Sequence, residues 1–142
     1  MKLAIACDHA GFDTKEELIK LLTEMGNEVK DYGCFSTESV DYPDFAHPLA
    51  EAVEKGTYEF GITLCGSGNG INMVANKHQG IRSALCWNSE ISALARQHNN
   101  ANICAVPARF ISLEDAKEIV KIFLSTEFEG GRHQRRIDKI PV

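Results

Sequence analysis

The chain of 142 residues is predicted to be an α/β protein with a five-stranded parallel sheet and helices on both faces. Three observations predict it. Short apolar runs recur along the chain, at Leu3-Ala4-Ile5-Ala6-Cys7, Phe60 to Cys65, Ile81 to Cys86 and Asn102 to Val106, and such runs suit strands buried on both sides. Amphipathic stretches separate them, and strict alternation of strand and helix builds parallel sheets. Finally, Cys65-Gly66-Ser67-Gly68-Asn69-Gly70 follows directly on one strand and precedes a helix, the place where such sheets bind ligands.

Taken in order, Leu3 to Cys7 is the first strand. Asp13 and Glu16 have capping-box spacing with Asp at the cap, and Leu18, Leu21, Leu22 and Met25 make one helical face that Gly26 ends. Glu28 to Tyr32 reads as a polar edge strand, and Cys34 to Tyr42 as a loop. Pro43 starts a helix with Ala46, Leu49, Ala50 and Val53 inward. Phe60 to Cys65 is the third strand, Ile71 to His78 a helix and Ile81 to Cys86 the fourth strand. Glu90 to His98 is a helix, and Asn102 to Val106 the fifth strand. Ser112 and Asp115 mark a helix start ahead of Ile119, Val120, Phe123 and Leu124, and a basic helix at about 131–140 closes the chain. The whole chain, 1–142, is expected to be a single domain.

Composition excludes several classes. A hydrophobic fraction of 44% and a charged fraction of 25% are ordinary for a globular domain, and a formal net charge of −5 argues against general nucleic-acid binding. No apolar run nears the ~20 residues of a membrane span, and no secretory leader is expected at the N-terminus. The cysteine count is 5, odd, with no Cys-x-x-Cys, so a zinc site or thioredoxin-like motif is not expected. Free thiols suit a cytoplasmic location. Cys7, Cys86 and Cys104 read as small core residues, and Cys34 has no assigned role.

The candidate chemistry gathers behind the strands. Glycines at 66, 68 and 70 let the backbone approach a ligand, and free N–H groups there stabilise a developing oxyanion. Cys65 reads as a group that attacks a carbonyl or removes a carbon-bound proton; its bland alternative is a buried strand-end thiol. Ser67 places a hydroxyl near the same oxygens. Asp8-His9 orients a hydroxyl or holds a phosphate, or else Asp8 only caps a turn. From position alone His98 is a helix cap first and an acid second. Arg132 and Arg136, four apart on one helix face, suit a phosphate monoester. Gly-x-Gly-x-Gly is neither the dinucleotide fingerprint nor a nucleotide-triphosphate loop.

Asp8-His9-Ala10-Gly11, Asp41-Tyr42-Pro43-Asp44, Cys65 to Gly70, Ala75-Asn76-Lys77, Gly80-Ile81-Arg82, Arg96-Gln97-His98-Asn99 and Gly130-Gly131-Arg132-His133 together resemble type B ribose-5-phosphate isomerase, a family that includes the galactose-6-phosphate isomerase subunits. The resemblance runs from Lys2 to about Ile140. It implies a Rossmann-like three-layer sandwich with strand order 2-1-3-4-5. It further implies a cytoplasmic homodimer, or a dimer of dimers, with shared active sites. The reaction it implies is interconversion of ribose 5-phosphate and ribulose 5-phosphate in the pentose phosphate pathway, with no metal and no cofactor.

By position, the resemblance makes Cys65 the base, His98 the residue that opens the sugar ring, and Gly66, Ser67, Gly68, Asn69 and Gly70 the loop around the enediolate. Asp8, His9, Asn99, Arg109, Arg132 and Arg136 match ligand contacts. Some relatives carry a glutamate base where this chain has Ile71, so the resemblance implies the cysteine branch. Ser67 stands where many members of that branch have threonine, and a longer C-terminal tail of some relatives is absent after Val142. Two alternatives stand beside this reading: an isomerase for a six-carbon sugar phosphate such as allose or galactose 6-phosphate, and a module that binds a phosphosugar without turning it over.

Overall fold

A computed structural model describes residues 1–142. Five strands, β1 (Lys2–Cys7), β2 (Glu28–Asp31), β3 (Phe60–Cys65), β4 (Ser83–Leu85) and β5 (Ile103–Pro107), alternate with helices α1 (Phe12–Glu24), α2 (Pro43–Glu54), α3 (Asn69–Ala75), α4 (Ser89–Asn99), α5 (Leu113–Ser125) and α6 (Arg132–Ile137). All strand pairs are parallel.

The period-two alternation of the strands divides the core. Leu3, Ile5, Ile62, Leu64, Cys104 and Val106 face Leu18 and Leu22 of α1, Ala95 of α4 and Ile119, Val120 and Phe123 of α5. Ala4, Ala6 and Ile103 face Leu49, Ala50 and Val53 of α2 and Ala75 of α3. Small residues are needed on that second face: a Cβ at Gly61 would stand 2.8 Å from Leu49 Cδ2.

The strand order is β2-β1-β3-β5-β4, which corrects the 2-1-3-4-5 that the family resemblance implies. The last strand is interior and the fourth is the edge. The reason lies in the residues: Ile103-Cys104-Ala105-Val106-Pro107 is buried throughout, as a strand covered on both faces must be, whereas Ser83-Ala84-Leu85 is only half-buried.

Local details differ from the sequence reading in several places, and the fourth strand is Ser83–Leu85 rather than Ile81 to Cys86. The Asp13–Glu16 capping box does not form; Gly11 is the N-cap of α1 and makes no side-chain cap bond. Lys15 is instead fully buried, with Nζ 2.6 Å from Asp31 Oδ2 and 3.1 Å from Glu16 Oε1. α3 starts two residues earlier than predicted, because Gly68 at φ 78° turns the chain straight into a helix at Asn69. Cys34 lies in the loop as read but its thiol is buried in the core, 3.9 Å from Cys7 Sγ, and its own N–H donates to the Cys7 carbonyl at 2.9 Å. Burial and the neighbouring Cys34 push the Cys7 thiol up, away from its reactive anion. The helix start at Ser112 forms as read, with Oγ accepting from the Asp115 N–H at 3.1 Å. No helix is long and apolar enough to cross a membrane.

Candidate active site

Cys65 is the last residue of β3, buried against Ala46 of α2, Ile71 of α3 and Ala105 of β5. Its backbone pairs in register with Pro107. Beyond that pair the two strand ends stay joined: the Ala108 N–H donates to the Cys65 carbonyl and the Arg109 N–H to the Gly66 carbonyl, each at 3.0 Å. The Gly68 carbonyl accepts from Asn72 at 3.2 Å. Three carbonyls of the turn, those of Cys65, Gly66 and Gly68, are therefore occupied. Its N–H groups are not: those of Gly66, Ser67, Gly68 and Gly70 donate to no group of the chain. A row of free amides at the end of a strand, next to a thiol, is an anion cradle.

The glycines are required by contact as well as by conformation. Position 68 has φ 78°, and a Cβ there would stand 2.5 Å from Leu85 Cδ1 and 3.3 Å from the Pro107 backbone nitrogen. A Cβ at Gly70 would stand 2.5 Å from Tyr42 Cζ, so Tyr42 lies directly over the start of α3. At Gly66 the neighbour is Arg109, with Nη1 3.4 Å from such a Cβ; the guanidinium folds over the turn. The exposed Ser67 accepts the Asn69 N–H on Oγ at 3.3 Å and keeps its own proton free to donate.

From β1, Asp8 is buried and its Oδ1 accepts the Ala10 N–H at 2.9 Å. The capping role thus holds one oxygen and leaves the other. His9 accepts the Val40 N–H on Nδ1 at 3.2 Å. A neutral imidazole that accepts on Nδ1 carries its proton on Nε2, so His9 presents a donor. Gly11 packs this turn onto β3, where a Cβ would stand 2.6 Å from Leu64 Cβ.

The remaining candidates lie elsewhere. α4 runs back across the sheet, and its last turn sits beside the first residues of the strands: Arg96 stacks 4.7 Å over the ring of Phe60, the residue that opens β3, and the Asn102 N–H beyond α4 donates to the Arg82 carbonyl just before β4. β5 alone, five residues long, puts about 13 Å between the two ends at its rise per residue. There His98 stacks on His133 of α6, with centroids 4.4 Å apart and planes at 13°, and its Nε2 is 3.6 Å from Glu129 Oε1. A cavity of about 320 Å³ is lined by His98, Asn99, His133, Arg136, Ile137 and Ile140. Arg132 opens the same short helix, exposed like Arg136. Burial, then His98 and then Arg132, hold the His133 imidazole below its usual range. One ligand atom each of His98, Glu129 and His133 lies within 4.8 Å of the others.

One chain therefore brings together Asp8, His9, Cys65, Gly66, Ser67, Gly68, Asn69, Gly70 and Arg109, and separately His98, Asn99, Arg132 and Arg136. Tyr42, Val40, His133 and Glu129 receive no role in the sequence reading. The signal for the division was present: residues that follow strands and residues that end helices lie at opposite ends of a parallel sheet.

The family model described as Ribose/Galactose Isomerase matches residues 3–140. The chain belongs to this family. It is 45% identical over 139 residues to ribose-5-phosphate isomerase B of Escherichia coli, covering 98% of this chain and 93% of that one. A crystal structure of a ribose 5-phosphate isomerase from Thermotoga maritima superposes with a TM-score of 0.97 at 51% identity, covering 99% of this chain and 97% of that one. The Mycoplasma genitalium ribose-5-phosphate isomerase B, solved with bound ribulose 5-phosphate, superposes with a TM-score of 0.94 at 42% identity, covering 98% and 93%.

Proposed function

We propose that this protein interconverts ribose 5-phosphate and ribulose 5-phosphate, with Cys65 as the proton-transfer base. The observation that carries this is the turn itself: a thiol at the end of β3 beside amides of Gly66, Ser67, Gly68 and Gly70 that no group of the chain uses. An aldose and a ketose differ by the position of one carbon-bound hydrogen, so the task is to remove a proton from C2, hold the enediolate and return the proton to C1. The Cys65 thiolate takes the proton. The negative charge that develops on O1 faces the free amides, which need no rearrangement to receive it; one such donor is worth about 3 kcal/mol in a related setting. Ser67 passes the hydroxyl proton between O1 and O2. Ile71, fully buried beside Cys65, offers no carboxylate as an alternative base.

The other half of the chemistry, ring opening by His98 and phosphate binding by Arg132 and Arg136, belongs to a second copy of the chain. Two copies related by a two-fold axis give each Cys65 turn, with its Asp8, His9 and Arg109, the His98–Asn99–α6 surface of the other. A homodimer with two shared sites follows, in a cytoplasmic enzyme of the pentose phosphate pathway. The same geometry explains why the His98 cluster is built so far from Cys65.

The test is isotope exchange. With ribose 5-phosphate in deuterated water, the wild-type chain incorporates deuterium at the exchanging carbon, and Cys65→Ala is expected to lose this by at least about 10³-fold while still binding the sugar phosphate. Full exchange by Cys65→Ala excludes the thiol as base. Turnover of allose or galactose 6-phosphate above that of ribose 5-phosphate moves the substrate to six carbons, and binding without exchange in the wild type leaves a phosphosugar-binding module.

A further inference from the structure

Outside both halves of the proposed site, α2 and the segment after α3 carry a second pair of histidines. His47 Nδ1 and His78 Nε2 are 2.8 Å apart. Their rings are tilted by 58° with centroids 5.1 Å apart, and the two nitrogens face each other in hydrogen-bond contact. Glu54 stands behind the pair: its Oε2 is 3.4 Å from His78 Nδ1. Its other oxygen accepts the Gly80 N–H at 2.8 Å. Glycine at 80 permits this approach, since a Cβ there would stand 2.9 Å from Glu54 Cγ.

We propose that His47 and His78 bind a divalent transition-metal ion at the surface, with Glu54 as the outer carboxylate that orients His78. A carboxylate beside one imidazole nitrogen keeps the proton there and leaves the other nitrogen a lone pair for a metal. Here the proton stays on His78 Nδ1, and Nε2 points at His47. In the metal-free chain His47 donates from Nδ1 to complete the 2.8 Å contact. An ion held at ~2.0–2.1 Å from each nitrogen needs the donors roughly 3.0–3.4 Å apart, an opening of a few tenths of an ångström. His47 is exposed and free to make it, its proton moving to Nε2 through water. Two neutral imidazoles, with water in the remaining positions, select zinc, nickel or copper(II) over magnesium or calcium. Such an ion would tie α2 to the end of α3 without entering the Cys65 turn.

The probe is Ni²⁺ added to the full-length, metal-free protein and followed by calorimetry and thermal melting. One ion per chain is expected, with a higher Tm. His47→Ala, a surface change, is expected to weaken binding at least tenfold and abolish the Tm rise while ribose 5-phosphate turnover is kept. Glu54→Gln is expected to weaken binding by about 10- to 100-fold, and His133→Ala to leave it unchanged. Absence of saturable Ni²⁺ binding in the wild type overturns the site. So does binding that survives His47→Ala, or binding lost only in His133→Ala, which would move the ion to α6. Wild-type affinity in Glu54→Gln overturns the part given to the carboxylate.

Discussion

The backbone N–H of Val40 donates to His9 Nδ1 at 3.2 Å, so the loop ahead of α2 sets which nitrogen of the site histidine carries the proton. Asparagine places an amide oxygen near the Nδ1 position and nothing at Nε2. His9→Asn is therefore expected to keep the loop and its melting temperature but raise KM for ribose 5-phosphate by about tenfold, the worth of a hydrogen bond to an anion at about 1.4 kcal/mol. His9→Ala loses both contacts, and its Tm falls as well. Steady-state kinetics with thermal melts on the two variants checks this; equal KM values for wild type and His9→Asn would remove Nε2 from the phosphosugar.

The separation of Cys65 from His98 across the sheet leads to a mixing experiment. Cys65→Ala and His98→Ala chains are each expected to be nearly inactive alone. Unfolded together and refolded at equal concentration, half the dimers are mixed, and each mixed dimer regains one of its two sites. Activity is then expected to recover to about a quarter of wild type. Failure to recover, with dimers present by light scattering, places both residues in one chain's site.

Tyr42 over Gly70 makes a contact that can be separated from backbone strain. Gly70→Ala drives a Cβ to within 2.5 Å of the ring and is expected to destabilise by about 1 kcal/mol. In a Tyr42→Ala background the same change becomes neutral or stabilising, because alanine outperforms glycine inside a helix by up to ~1 kcal/mol. Gly68→Ala has no such rescue: φ is 78° there, and the left-handed backbone costs a residue with a Cβ about 1–2 kcal/mol. Denaturant melts of the four variants distinguish the two mechanisms.

The stacked histidines give a pH dependence with a definite sign. Burial, His98 and Arg132 lower the folded-state proton affinity of His133, while the unfolded chain titrates near the ordinary histidine value of about 6.5. Between these two values the unfolded state holds more protons, so stability falls as pH falls through that window and levels off below it. The wild-type Tm is expected to drop from pH 7.5 to pH 5.5 by more than that of His133→Gln. Parallel curves for the two proteins would mean that His133 does not contribute.

Where local chemistry decides, the sequence was a good guide. Phe60 to Cys65 was bounded as found, because an apolar run ends abruptly in glycine, and Ser112 caps α5 because the Ser-x-x-Asp spacing needs nothing from elsewhere in the chain. Non-local facts were hidden. Nothing within Ile103 to Pro107 states that it pairs with both β3 and β4, although its unbroken apolar character, beside a Ser-containing β4, is a clue to which of them is interior. Lys15 receives no reading from the sequence, because its partner Asp31 lies sixteen residues away. The Cys65 turn was legible because glycines and thiol are contiguous. That His98 and Arg136 lie far from Cys65 within one chain follows from which ends of the sheet their elements reach, and this took the fold to establish.

The interior position of β5 also sets an order of assembly. β4 pairs with no strand other than β5, so a nascent chain that ends near residue 100 can pair only β2, β1 and β3. The Cys65 turn is then half-walled, because Ala108 and Arg109, which hold the Cys65 and Gly66 carbonyls, have yet to be made. Strand insertion of this kind is a late, long-range event in folding. The Cys65 turn is therefore walled only when the last strand emerges from the ribosome, and ribosome-bound chains stalled before residue 103 are expected to show a protected β1–β3 pair and an unprotected β4.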